Sequence, residues 1–518
     1  MSEQLLLGID LGTSRVKSVL FDRKGSIRGM DEAALKIESP VADSAEQDME
    51  HLWVMTAKTV SGALKKGKAD STSLAAVGVA GQGTGCWLLD ENKEPLGRAI
   101  TWLDGRSRSE IEEWRKDGRY HQVFELTGNS IFPGSPASIL SWLKKTNPQT
   151  FEGARFLIFA KDWVKFKLTG KLTTDPSDMS VFPRPLTGEM AEVLEMLDLT
   201  EVERMLCPVE SSTAIIGEVT EESARLTGLS EGTPVVGGVV DVVASAISLG
   251  VLSEGQAFSI VGTTCFNGIL TGNRAHLFEP QDVGISVAYP VKPFYVKAMG
   301  TMAGTLNLDW FVEKFLADEH ARFSDQQEFF SFLEKEIQKI PPGSDGLIYH
   351  PYLSPGGERA PFVEPLARAQ FSGLSHLHTR YHFLRAVYEG VAFSILDCFH
   401  AVPQEVSEIR IAGGGAKSGV WGQIIADVLG IPVIVPRVQE LGALGAALTA
   451  GVGVGIYSDL PEAVQHTLHT DRTYYPDGKN FEFYQEYFEL YLEVRHRMTY
   501  FWQLRGEVLE RWRNKERE

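Results

Sequence analysis

Cysteine is scarce, with four in 518 residues: Cys86, Cys207, Cys265 and Cys398. None stands in a C-x-x-C spacing, so neither a zinc site nor a disulfide framework is indicated, and all four are expected as buried thiols. Basic charge is also short. Fifty Lys and Arg against 68 Asp and Glu leave a formal net charge of -18, which argues against the basic face that nucleic acid or an anionic membrane requires. No apolar run reaches the roughly 18 residues that cross a bilayer, and Asp10 interrupts the N-terminal run before a signal h-region can develop. The expected location is the cytoplasm, and the expected partner is a small molecule. Metal-ligand spacing is missing too: His376, His378 and His382 are close in "HLHTRYH", but no Cys or carboxylate accompanies them at ligand spacing, so they read as surface or capping histidines.

The chain is 43% hydrophobic and 23% charged, the composition of a globular protein long enough for two large domains. Its opening, "LLLGIDLGTSRVKSVLFDRKG", places Asp10, Gly12, Thr13 and Ser14 between two β-rich runs, a hairpin pattern. The loop is either a plain tight turn or a cradle in which backbone N–H groups and two hydroxyls face phosphate oxygens. The pattern returns in "GQAFSIVGTTCFNGILTG", with Gly262, Thr263 and Thr264 between two strands. Two such hairpins half a chain apart suggest two similar domains holding one phosphate chain. The boundary is placed near residue 250, giving domains of 1–250 and 251–518.

Short buried strands, "LAAVGVAG" and "TPVVGGVV", alternate with helical patterns such as "EQDMEHLWVMTAKTVSGALKK", so the class is α/β. A third element, "EIRIAGGGAKSGVWGQIIADVLGIPVIVP", reads strand, glycine loop, helix, strand. It matches neither a Walker loop nor a dinucleotide fingerprint, and its glycines serve either close packing or a nucleotide contact. In "GGVVDVVASAISLG" Asp241 ends an apolar strand among small residues, as a helix cap or as a carboxylate able to take a proton from a hydroxyl. The aromatic stripe of "FEFYQEYFELYLEVRHRMTYFWQLRGEVLERW" is expected to be core or a subunit contact.

Taken together, these motifs resemble the FGGY carbohydrate kinases of the actin, Hsp70 and hexokinase superfamily, over nearly the whole chain. "AQFSGLSHLHTRYHFLRAVYEG" resembles the family's C-terminal signature, and "GIDLGTS", "GVVDVV", "VGTT", "GGGAKSGVW" and "LGALGAAL" follow in the family's order. "SPASILSWLKK" resembles its N-terminal signature, with Ile139 where the family usually has Lys. The resemblance implies two actin-like (RNase H-like) domains around a central cleft, ATP held by the second and sugar by the first. It implies Asp10 as the carboxylate that organises Mg2+, Gly12, Thr13 and Ser14 as the first phosphate loop and Asp241 as catalytic base. Gly262 and Thr263 match the second phosphate loop, Gly415 and Lys417 the adenosine side, and Gly304, in "GTMAGTLNLDW", is placed near the nucleotide. Many relatives are dimers, so a homodimer is expected.

For the substrate, "GVAGQGTGCWLLD" lacks the Met-His of D-xylulose kinases and the Arg-Glu of glycerol kinases, and its Gln82-Gly83-Thr84-Gly85 is similar to L-xylulose and erythritol kinases. "TWLDGRS" resembles a substrate loop of pentulose and polyol kinases. Trp102, Asp104 and Arg106 suit a polyhydroxylated chain, or else form core, a local turn and an ion pair. The expected substrate is a ketopentose of the L-xylulose kind, with a sugar alcohol such as erythritol or a pentitol as the alternative. From another class, an actin- or chaperone-like ATPase or a non-catalytic sugar sensor would use the same hairpins.

Overall fold

The computed structural model describes residues 4–182 and 184–517. It divides into two compact units. The first comprises Met1–Glu254, Thr271–Val296 and Arg437–His469, and the second Gly255–Leu270, Lys297–Pro436 and Thr470–Glu518. The chain therefore crosses from one unit to the other several times, where the sequence reading draws one boundary near 250; the segment containing "LGALGAAL" belongs with the first unit.

The sheet of the first unit runs in the order Ile27–Ala34, Arg15–Phe21, Leu5–Leu11, Leu74–Gly81, Pro234–Val236, Ile215–Glu218, and Val239–Val240 also pairs with Leu74–Gly81. Leu5–Leu11 is antiparallel to Arg15–Phe21 and parallel to Leu74–Gly81. Its two faces do different work because side chains alternate along a strand. Leu5, Leu7, Ile9 and Leu11 enter an apolar core with Leu52, Trp53, Val60 and Leu64 of the helix Met49–Gly67. That helix starts where the Asp48 carboxylate accepts the His51 N–H at 2.8 Å.

On the opposite face Gly8 and Gly78 are register partners on adjacent strands. A Cβ on either would overlap backbone of the helix Leu441–Gly453, at Ala443 and at Ala446 respectively. The same helix approaches the backbone of Asp241–Leu249, where a Cβ on Gly445 would meet Ala244. Small residues allow these backbones to close in on one another.

The second unit repeats the plan. Its strands lie in the order Tyr295–Thr301, Cys265–Thr271, Gln256–Val261, Glu408–Ala412, Val433–Pro436, Thr470–Tyr474. Gln256–Val261 is again antiparallel to its hairpin mate and parallel to the next strand, Glu408–Ala412. The long helix Gly478–Arg517 buries Tyr484, Tyr487, Phe488, Tyr491 and Trp502, so part of its aromatic stripe is core. Arg385 and Glu389, from the segment resembling the family signature, pair at 2.8 Å, and Glu389 also accepts from Ser344 Oγ and Tyr484 Oη. These contacts join the helix Arg380–His400 to the helix Gly478–Arg517.

All four cysteines are buried and free. His382 Nε2 lies 3.0 Å from Asp345 and its Nδ1 takes the Thr379 N–H at the start of the helix Arg380–His400. Among the described residues no group of His, Cys, Asp and Glu is arranged to hold a metal by itself, and no helix is long and apolar enough to cross a membrane.

Candidate active site

Asp10 occupies the C-terminal end of the central strand of the first unit, on the face that carries Gly8. Directly across the hairpin its register partner is Lys17. The helix Leu441–Gly453 begins over it: a Cβ on Gly442 would collide with the Asp10 carboxylate. Burial pushes that carboxyl up to about 6, with the Lys17 ammonium opposing the rise and Glu440 adding to it. No hydrogen bond or ion pair engages the Asp10 carboxylate among the described residues.

The loop that follows is anchored on both sides, Gln82 N donating to Leu11 O at 2.9 Å and Leu35 N to Ser14 O at 2.8 Å. Thr13 Oγ1 donates to Gln82 Oε1 at 3.0 Å and accepts from Trp102 Nε1 at 2.9 Å. Gln47, which the sequence did not single out, closes the set: its Oε1 accepts from Gln82 Nε2 at 2.8 Å and its Nε2 donates to Thr13 O. The loop expected to face phosphate and the predicted substrate residues Gln82 and Trp102 are thus one hydrogen-bonded group. Gly83 lies alongside Val240, whose Cγ2 would be 2.6 Å from a Cβ there.

Asp241 is the first residue of the helix Asp241–Leu249, directly after the strand Val239–Val240. Its Oδ1 accepts the Val242 N–H at 2.7 Å; Oδ2 has no protein partner among the described residues. Burial, followed by the neighbouring Asp10 charge, pushes this carboxyl up to about 7 against the pull of the Val242 N–H. The strand end is held from below, since Val240 N donates to Ser177 Oγ at 2.9 Å and Ser177 Oγ donates to Asp175 at 2.6 Å. Asp175 in turn pairs with Lys161, which also reaches Asp162 and Asp178, all of them buried. Sequence reasoning missed this network because its members are dispersed over residues 161–178 and carry no motif.

Asp104 takes the second of its two sequence readings in its contacts. The residue is 2% exposed, and its carboxylate accepts from Ala45 N at 2.9 Å, from Arg106 N at 3.0 Å and from the Arg106 guanidinium. Arg106 also pairs with Glu46 and lies over the Trp142 ring. Asp104→Ala is expected to lower stability by about 2 kcal/mol, because it strips hydrogen bonds from a charged buried group. The check is a thermal melt, in which an unchanged Tm would return Asp104 to a direct substrate role.

In the second unit the loop 262–264 rests on the start of the helix Thr305–Phe315. Thr305 N donates to Gly262 O at 2.7 Å and Leu306 N to Thr263 O at 3.3 Å. A Cβ on Gly304 would sit 2.5 Å from Gly262 O and 2.6 Å from Thr263 O, so only glycine lets the two segments meet. Thr263 and Thr264 are exposed at the tip. Gly413 has φ +89 and abuts Val261; Gly415 is buried against Val261 and Trp421, while Gly413, Gly414 and Lys417 are exposed. The close-packing reading is met at Gly413 and Gly415, while a Cβ on Gly414 would meet nothing nearer than Thr305 Cγ2 at 3.7 Å.

Two units, each an antiparallel hairpin leading into parallel strands and each tipped by a hydroxyl-bearing loop, define the class of actin-like phosphotransferases. The first unit adds a pair of interacting carboxylates. Residues 5–248 match the N-terminal domain of the FGGY family of carbohydrate kinases and residues 257–454 its C-terminal domain. The chain belongs to that family. It is 32% identical over 496 residues to an L-xylulose/3-keto-L-gulonate kinase of Escherichia coli, covering 94% of this chain and 96% of that protein. It is 29% identical over 510 residues to an erythritol kinase of Brucella abortus, covering 96% and 97%. Among solved structures, a ligand-bound xylulose kinase from Lactobacillus acidophilus superposes with a TM-score of 0.86 at 25% identity, over 96% of this chain and 98% of that one. The protein is a sugar kinase, a phosphotransferase with an alcohol group as acceptor.

Proposed function

We propose that this kinase transfers the γ-phosphate of ATP to a hydroxyl of a ketopentose of the L-xylulose kind. The observation that carries this reading is the Asp241 carboxylate, with one oxygen fixed by Val242 N–H and the other without a partner among the described residues. A sugar hydroxyl is a poor nucleophile that needs orientation more than activation, because a loose phosphoryl-transfer transition state keeps its proton until late. The free oxygen of Asp241 accepts that hydroxyl, aims it, and takes the proton as the new bond forms.

Gln82 and Trp102, tied to Thr13, offer an amide and an indole face suited to hydroxyl and C–H groups of the sugar. The loops at 12–14 and 262–264 offer backbone N–H groups and the exposed hydroxyls of Ser14, Thr263 and Thr264 to phosphate oxygens, the Thr13 proton being donated to Gln82. The exposed backbone of Gly413 and Gly414 and the ammonium of Lys417 serve the nucleotide in this reading. Mg2+, when bound, supplies charge neutralisation to those oxygens, and Asp10 fits it: an oxygen donor with no partner among the described residues is suited to a hydrated hard cation. The proposed setting is the cytoplasm, and a homodimer is the proposed assembly.

A panel of L-xylulose, D-xylulose, pentitols, erythritol and glycerol, read by ADP release and by the phosphorylated product, tests the substrate. L-xylulose is expected to give the highest kcat/KM. A preference for erythritol or a pentitol would replace the ketopentose reading, and sugar-independent hydrolysis would overturn the role given to Asp241.

A further inference from the structure

Glu440 carries two unusual features. Its backbone is left-handed, φ 39 and ψ 65, although it is neither glycine nor asparagine, a conformation that costs a side-chain-bearing residue free energy. Its side chain reaches across to Lys17, with Nζ and Oε2 2.7 Å apart and both groups only partly exposed. Lys17 lies directly opposite Asp10 in the hairpin register. An ammonium so placed has an obvious alternative partner in the Asp10 carboxylate, yet among the described residues it pairs with Glu440.

We infer that Glu440 is a positioning residue that engages the Lys17 ammonium and so leaves the Asp10 carboxylate open to the divalent cation. The inference rests on the role proposed above for Asp10. The geometry supplies the reason for the strained backbone: Gly442 must abut Asp10 for the helix Leu441–Gly453 to begin there, and the residue two places earlier reaches Lys17 from a left-handed turn. Without the Glu440 charge, Lys17 closes on Asp10 and competes with the cation for the same oxygens. A glutamine of equal size keeps the shape of the contact and removes that competition for the ammonium.

The test compares wild type, Glu440→Gln, Lys17→Gln and the double variant by the Mg2+ concentration that half-saturates activity, and by calorimetry of ADP binding at varied Mg2+. Glu440→Gln is expected to raise the Mg2+ requirement by about tenfold, the scale of losing a group that orients a metal ligand, with sugar KM unchanged. In the Lys17→Gln background the same change is expected to add nothing. An unshifted requirement in Glu440→Gln, or an equal shift in both backgrounds, overturns the inference. If instead Asp10→Asn leaves the Mg2+ requirement of sugar phosphorylation at its wild-type value, the role of Asp10 itself is what fails. Glu440→Gly supplies a readout independent of turnover: relief of the left-handed strain is expected to hold or raise Tm while the Mg2+ requirement rises, and a marked fall in Tm would make Glu440 a purely structural residue.

Discussion

Asp241→Asn is expected to lower kcat by about 10²–10⁴, the usual weight of a positioned general base, with the KM values for sugar and ATP changed only modestly. Asparagine fits the same space and its carbonyl still accepts the Val242 N–H, so the helix Asp241–Leu249 should start unchanged. What it lacks is an oxygen able to take a proton. Steady-state kinetics with the preferred sugar check this, and near-normal turnover would remove Asp241 from the role. The same variant has a second consequence. Burial and the Asp10 charge hold the folded carboxyl up at about 7, against about 4 in an unfolded chain. A raised acid stabilises the fold fully below the unfolded value, and that contribution is lost as pH rises through the folded one. The non-titrating variant therefore gains Tm relative to wild type as pH rises from about 4 to about 7. A difference in Tm that stays constant over this interval would count against the perturbed acid.

Gly8→Ala is expected to destabilise the protein by about 3 kcal/mol or more, at the upper end of what overpacking costs. The obstacle is backbone on both sides, since the new Cβ would overlap the carbonyl of Ala443 in the helix Leu441–Gly453. No rotamer change relieves such a contact. The helix would have to lift from the sheet, and with it would move Gly442, which abuts Asp10, and Gly445, which abuts Ala244 three residues after Asp241. Activity should fall with stability. Gly153→Ala is the control, because its Cβ would meet only Leu96 methyls at 3.8 Å. Thermal melts of both variants check the contrast, and a wild-type Tm for Gly8→Ala would show that the helix is not seated on these glycines.

The two hairpins were legible because each is local: a period-two apolar run, a short polar loop and a second run specify strand, turn and strand within about twenty residues. For the same reason the strand–glycine–helix element at 408–436 could be read, and so could Asp241 at the end of its apolar strand. The partner of Lys17 could not. Hairpin counting sets Lys17 opposite Asp10, but Glu440 lies 423 residues away in sequence, and no spacing rule connects them. Asp104 shows the converse, since a turn followed by an arginine allowed both a substrate contact and an internal pair, and only the fold brings the Ala45 N–H to the Asp104 carboxylate and Glu46 to the Arg106 guanidinium.

By itself the sequence determined the α/β class, the two hydroxyl-bearing hairpin loops and the acids at 10 and 241, because these depend on periodicity and on the chemistry of residues adjacent in the chain. Tertiary structure alone decided which glycines are seats for a helix, which buried ions brace the strand before Asp241, and why the segment Arg437–His469 belongs to the first unit. Those are questions of how closely backbones approach and which charges lose their water together, and both are fixed by packing among segments far apart in sequence.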